Sequence, residues 1–305
     1  MPLTRRRFIA ISAAFASLPG PVTARPVPRH WAGQALGARA SIRLDHPQAE
    51  TITARCLAEI DRLEGILSLY RADSALSRLN RDGRLDAPPF ELLDCLAQAQ
   101  AVHRASGGLF DVTLQPLWTL WAESAAQGRR PGEAERRAAL ALTGQERMEI
   151  SSGRISLPRG MAITLNGIGQ GYVADRVASL LMAEGLTDIL IDTGEHRALG
   201  TRPDGSAWPL KADAGGRGIP LASRALATSA PLGTCFDAAG RDGHILDPRT
   251  GAPVAARWKA ISISAPSAAL ADALATAACL TRDQAELAQL LRAFADCRAE
   301  SVLPA

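Results

Sequence analysis

Three separated stretches hold the residues whose types and spacing could do chemistry. Residues 270–280, LADALATAACL, place one carboxylate, Asp272, four positions before one hydroxyl, Thr276. On a helix, i and i+4 share a face. A carboxylate beside a hydroxyl makes a hard-oxygen site suited to Mg2+, which keeps several waters and takes remaining ligands from a substrate phosphate. The same pair also fits a cap-like Asp and a packing Thr, so the pattern alone does not define a site. Residues 161–175, MAITLNGIGQGYVAD, crowd Gly167, Gly169 and Gly171 between an apolar run and a helical pattern. Such glycines permit positive φ and close approach of a ligand to the backbone, and the N–H groups opening the next helix attract an anion, phosphate above all. The spacing is neither G-x-G-x-x-G nor G-x-x-x-x-G-K-[ST], which supports neither a dinucleotide fold nor a P-loop; a plain structural turn fits equally. Residues 243–251, GHILDPRTG, form an Asp-Pro turn with Arg249 beside it. Among His30, His46, His103, His196 and His244, only His244 lies between two glycine-containing turns with Asp and Arg close by.

The elements that must position these residues follow from periodicity. Residues 31–45 end in an alternating run that reads as a strand. Helical patterns are expected from Pro47 to about Leu69 and over 89–105, the second stopped by Ser106-Gly107-Gly108. Between them, 70–80 reads as a polar turn and short helix with Asp73 or Ser74 as N-cap. A charged helix is expected over 133–142, and short strands near 147–150, 154–157 and 161–165. The glycine elbow then leads into a helix over 172–184 and a strand over 188–192. Strands over 196–212, 219–227 and 258–265 and helices over 267–279 and 283–295 complete the chain. Long helices come early and strands of mixed order fill the middle, which predicts α+β, with a mixed, largely antiparallel sheet and flanking helices, rather than a doubly wound sheet.

The chain has 305 residues, 47% apolar, 21% charged and 4% aromatic, with formal net charge +3. Nothing here marks a polyanion-binding surface, and so few aromatics exclude base-stacking platforms; no nucleic-acid partner is expected. Thr4-Arg5-Arg6-Arg7-Phe8-Ile9 is a twin-arginine pattern, followed by an apolar stretch to Leu18 and a small-residue exit at Val22-Thr23-Ala24. Residues 1–24 are therefore expected to be a signal peptide that exports the folded protein to the periplasm, leaving 25–305 as one domain. Arg5, Arg6 and Arg7 account for the whole excess charge. No other run reaches the length of a membrane span, so no integral membrane protein is expected. The cysteines 56, 95, 235, 279 and 297 show no C-x-x-C and no metal-finger spacing; they read as small buried hydrophobes, with one disulfide left open.

Taken together the motifs resemble the ApbE family, the FAD:protein FMN transferases. TLNGIGQGYVAD is similar to the family's D-L-G-G-I-A-K-G-Y-x-x-D, GHILDPRTG to its S-H-I-[IL]-D-P-R-T-G, and ALADALATAA contains its A-D-A-L-A-T-A intact. YRADSALSRLN, SGGLFDVTLQPLW and LATSA are similar to its earlier and intermediate motifs, so the resemblance runs from about Trp31 to residue 295. It implies an ApbE-like fold, FAD as substrate and Mg2+ held by Asp272, Thr276 and an elbow carbonyl near Gly169. It also implies transfer of FMN to a Thr or Ser hydroxyl in a motif of an acceptor flavoprotein, with release of AMP. His244 matches the histidine assigned to the reaction as base or phosphoryl carrier, and Asp272 serves the chemistry through the metal. Tyr70, Ser74, Asn80, Asp111, Thr113, Gly167, Gly171, Thr228 and Ser229 fall on cofactor-side segments; Arg249 holds a phosphate or braces its turn. The chain departs from the pattern at Thr164, Asn166 and Gln170, where the family has Asp, Gly and Lys, and at Ala230, where it has Gly. The missing elbow Lys removes a point charge beside the diphosphate. The elbow variant, the twin-arginine signal and DTGEHRALG are similar to the NosX branch, linked to nitrous oxide respiration, whose presumed acceptor is the flavoprotein NosR. The alternatives are an FAD pyrophosphatase freeing FMN and AMP, and a non-catalytic flavin-binding or maturation protein.

Overall fold

The computed structural model describes residues 29–36, 38–44, 48–211 and 218–305; the twin-arginine segment lies outside the described residues. In chain order the strands are β1 (Arg29–Ala35), β2 (Ala38–Leu44), β3 (Arg84–Asp86), β4 (Glu149–Ile150), β5 (Arg154–Ser156), β6 (Ile189–Asp192), β7 (His196–Leu199), β8 (Trp208–Lys211), β9 (Gly218–Leu221), β10 (Ala225–Ser229), β11 (Trp258–Ala265) and β12 (Arg298–Pro304). The helices are α1 (Ala49–Leu67), α2 (Ala75–Asp82), α3 (Phe90–Ala105), α4 (Gln115–Ala126), α5 (Glu133–Leu140), α6 (Gly169–Ala183), α7 (Ala268–Ala278) and α8 (Gln284–Arg292).

A seven-stranded sheet, ordered β1-β2-β6-β7-β10-β11-β12, is antiparallel at every pairing, in agreement with the α+β expectation. Its two faces follow from the two-residue period of a strand. In β6, Ile189 and Ile191 enter the main core, whereas Leu190 enters a second cluster with Leu210, Ile219 and Leu221 of the β8–β9 hairpin. The main core lies under the helices. Helix α1 contributes Ile52, Cys56, Ile60, Leu63 and Leu67 at helical spacing. Helix α7 sits against α3, α6, β10 and β11 and is buried except at Leu270 and Thr276. Its alanines suit such a central position, because small side chains let neighbouring elements approach closely without loss of helix propensity.

Three expectations are corrected. Residues 161–165 form no strand: Asn80 takes both backbone groups of Ile163, at 2.8 Å each, and Thr164 N donates to Val112 O at 2.7 Å, so this stretch pairs with a side chain and a loop rather than a sheet. Gly169 and Gly171 belong to the first turn of α6, and none of the three elbow glycines has positive φ. They are small because something stands close, not because the backbone bends. The expected strands 196–212 and 219–227 each split in two, the second at Ser223 with φ 51°. Helix α4 and strand β12 were not legible as elements. Ser74 does cap α2, accepting from Ser77 N, and Gly107 and Gly108 end α3 with φ of 61° and 84°.

Candidate active site

The junction of α6 with α7 brings the first two chemical stretches together. Gly171 makes it possible: a Cβ there would stand 2.2 Å from the Ala268 carbonyl oxygen. The Asp175 carboxylate, one turn on, accepts from Ala268 N and Ala269 N at 2.9 Å each, and Ser267 caps the same helix end by accepting from Leu270 N. Arg197 of β7 stands 3.3 Å from Asp175. Thus clamped, α7 presents Asp272 to the elbow, and Gly171 N donates to Asp272 Oδ2 at 3.4 Å. One helical turn further, Thr276 faces Gly167, where a Cβ would lie 3.1 Å from Thr276 Oγ1. Gly167, rather than Gly169, is therefore the elbow glycine beside the hydroxyl; the corresponding face of Gly169 meets Leu36 and Leu165.

Asp272 is 4% exposed in the middle of a helix with no cationic side chain bonded to it among the described residues. Burial pushes its carboxyl up to about 7, partly opposed by the Gly171 N–H. A second buried acid accompanies it: Glu195, 8% exposed, accepts from the Thr228 backbone N–H, and burial together with the Asp272 charge pushes its carboxyl well up. Sequence reasoning passed over Glu195, although DTGEHRALG contained it. No local signal marked it, because its standing comes from burial beside Asp272. The turn before β7 also reaches the elbow, since Thr193 Oγ1 donates to Gln170 O at 3.0 Å. Gln170 thus joins the site through its backbone.

This donor set fits a divalent hard cation. A carboxylate, a hydroxyl and elbow carbonyls are the oxygen ligands Mg2+ prefers, with positions left for phosphate oxygens. No group of three His, Cys, Asp or Glu side chains gathers as a metal cluster among the described residues. Asp272 Oδ2 accepts only the long bond from Gly171 N, and no hydrogen bond reaches Oδ1 among the described residues, so the carboxylate keeps lone pairs for a ligand.

His244 is half-buried on the loop after β10. Its Nδ1 is 3.0 Å from Thr234 O, the carbonyl that also accepts from His244 N. A carbonyl only accepts, so Nδ1 carries the proton and Nε2 offers its lone pair. Burial lowers the imidazole pKa, keeping the ring neutral. The loop is fixed by packing of Phe236 against Trp118 and Trp121, with ring centroids 5.4 and 6.0 Å apart, and by Trp121 Nε1 donating to Gly251 O at 2.9 Å. Arg249 braces its own turn through Asp247, at 2.7 Å.

The other cofactor-side residues divide by role. Tyr70 is 55% exposed and hydrogen-bonds Asn166 of the elbow. Asn80, by holding Ile163, and the 110–113 segment, by pairing Thr164 with Val112, support the approach to the elbow. Asp111 accepts from Thr113 N and Oγ1, and Thr113 in turn accepts from Gly144 N. Ser74 is fully buried and donates to Ser68 O. Thr228 Oγ1 pairs with Ser262 Oγ at 2.8 Å, and half-buried Ser229 ends the strand where the His244 loop begins.

Residues 36–299 match the ApbE family. An FAD:protein FMN transferase of Vibrio cholerae is 30% identical over 268 residues, covering 81% of this chain and 79% of the relative. One of Salmonella typhimurium is 26% identical over 298 residues, covering 89% and 85%. The apo crystal structure of the Pseudomonas stutzeri flavinyl transferase ApbE superposes with a TM-score of 0.76 at 30% identity, covering 87% of this chain and 88% of that one. Elbow, buried α7 carboxylate and H-I-L-D-P-R-T-G loop thus lie on a fold shared over nearly the full described length, and the chain belongs to the ApbE family.

Proposed function

We propose that this protein transfers the FMN moiety of FAD to a Thr or Ser hydroxyl of an acceptor flavoprotein, at a Mg2+ site formed by Asp272, Thr276 and the elbow backbone. The observation that carries this reading is Asp272, a carboxylate sunk in an apolar helix yet turned to the elbow with an oxygen to spare. Bound Mg2+ would neutralise the diphosphate and stabilise charge on the departing AMP. The chain supplies the rest. The α6 N-terminus offers N–H groups to phosphate oxygens, and Tyr70 offers a ring to the flavin. His244 Nε2 takes the hydroxyl proton as the acceptor oxygen bonds to the FMN phosphorus and the bond from that phosphorus to the bridging oxygen breaks. The products are FMN in phosphodiester linkage to the side chain, and AMP.

The test is incubation with FAD, Mg2+ and a flavoprotein domain bearing an acceptor Thr. Covalent flavin fluorescence on a denaturing gel is expected, and acceptor Thr→Ala abolishes it. FAD binding without label on any acceptor refutes transfer, and AMP release without acceptor assigns a pyrophosphatase instead. His244→Ala retains FAD binding and slows transfer by ~10²–10⁴-fold; joint loss of binding and fold would make His244 structural. The twin-arginine pattern at Arg5-Arg6-Arg7 supports action in the periplasm after export of the folded protein, and the elbow variant supports a NosR-type acceptor. A reporter fused after residue 24 tests the first, and labelling of a NosR flavin domain tests the second.

A further inference from the structure

Glu195 has no part in the reading above, although it is 8% exposed and shares a buried space with Asp272. Its carboxylate accepts from the Thr228 backbone N–H, and no Lys or Arg forms an ion pair with it or with Asp272 among the described residues. Two carboxylates sealed together without a counter-charge repel strongly, since water screens them little there. The nearby Arg197 is committed to Asp175. The turn carrying Glu195 is also tied to the elbow, through Thr193 Oγ1 and Gln170 O. Asp272, the elbow and Glu195 thus converge from α7, α6 and the β6–β7 turn. Asp272 Oδ1 accepts no hydrogen bond among the described residues.

We infer that Glu195 is an outer carboxylate of the cation site, which brings a second carboxylate to the bound ion through one of the waters the ion keeps. The inference rests on the Mg2+ site proposed above. Outer carboxylates tune metal affinity without touching the ion, and Mg2+ retains waters that accept such a neighbour. Glu195 is by this account a positioning residue for the cation. It gives an otherwise single-carboxylate site enough charge to hold a divalent ion before the diphosphate arrives.

The test uses the full-length protein without FAD. Titration calorimetry with Mg2+ should show Glu195→Gln binding ~10–100-fold more weakly than wild type, with a melting temperature in EDTA no lower than that of wild type. FAD binding measured in EDTA, where no cation is there to be positioned, should stay at the wild-type value; damage to the fold would weaken both. Glu195→Asp keeps the charge and should keep most of the Mg2+ affinity. Equal Mg2+ affinity in Glu195→Gln and wild type overturns the inference while leaving the cation site intact. A loss as large in Glu195→Asp as in Glu195→Gln assigns the residue to shape and also overturns it. Absence of Mg2+ binding by wild type, alone and with FAD, overturns the cation site and this inference together.

Discussion

Gly171→Ala adds one methyl group at the point where α6 meets α7. The new Cβ would stand 2.2, 2.4 and 2.6 Å from Ala268 O, Ala268 C and Ala269 N, where real Cβ atoms keep beyond 3.0 Å. All three neighbours are backbone, so no side chain can turn aside and the first turn of α7 must retreat by about 1 Å. Overpacking of this kind costs up to ~3 kcal/mol, or a fall in Tm of about 6–12 °C for a domain of this order of size. The retreat strains the Asp175 bonds to Ala268 and Ala269 and withdraws Asp272 from Gly171. An error of ~1 Å in a ligand's position costs on the order of 100-fold in function, so Mg2+ affinity should fall by about that factor in whatever fraction still folds. Thermal melts in EDTA and Mg2+ calorimetry measure the two effects. Gly65→Ala is the control: its Cβ meets nothing within 4 Å, it lies inside α1, and it should stabilise by ~0.5–1 kcal/mol. Wild-type melting and wild-type Mg2+ affinity in Gly171→Ala would refute the claim that close packing here sets the site.

Asp272 titrates near 7 in the folded protein against 3.8 as its ordinary value, so between those values the native state holds more protons than the unfolded one. Stability contributed by this group therefore falls as pH rises from about 4 to about 7 and is level above; melting in EDTA across that range should show the fall in wild type and a shallower one in Asp272→Asn, where the raised Glu195 and Asp175 carboxyls still contribute. Asp175→Asn leaves one oxygen where two accept from α7, and should cost about 1–3 kcal/mol in a denaturant melt; no change would show that Ser267 alone caps the helix. All five cysteines are free. Cys56, Cys95 and Cys279 are buried and burial raises their thiols, so a thiol reagent should reach only Cys235 and Cys297 in the native protein and all five in denaturant. Three thiols in unreduced, denatured protein would reveal a disulfide.

What the sequence made legible depended on how local the cause was. Helices α1, α3 and α7 and strand β11 announce themselves through periodicity, and Ser74 and Gly107-Gly108 through cap chemistry. The glycine elbow was visible as a feature but not in its cause, because the reason for Gly171 is the backbone of Ala268, far along the chain. Segment 161–165 has strand composition, yet Asn80 takes the hydrogen bonds a strand would need. The motifs supplied Asp272, Thr276 and His244. Glu195 was hidden because its significance lies in burial beside another acid, which no local pattern encodes.

The bond from Gly171 to Asp272 spans 101 residues. A ribosome delivers the elbow long before the helix that closes against it, and until α7 emerges the α6 N-terminus has no Asp272 to meet. Nascent chains halted before residue 268 should therefore show no Mg2+ affinity, and with the proposed site flavin loading would become an event of the finished polypeptide. Synthesis itself thus delays the chemistry until the last elements dock.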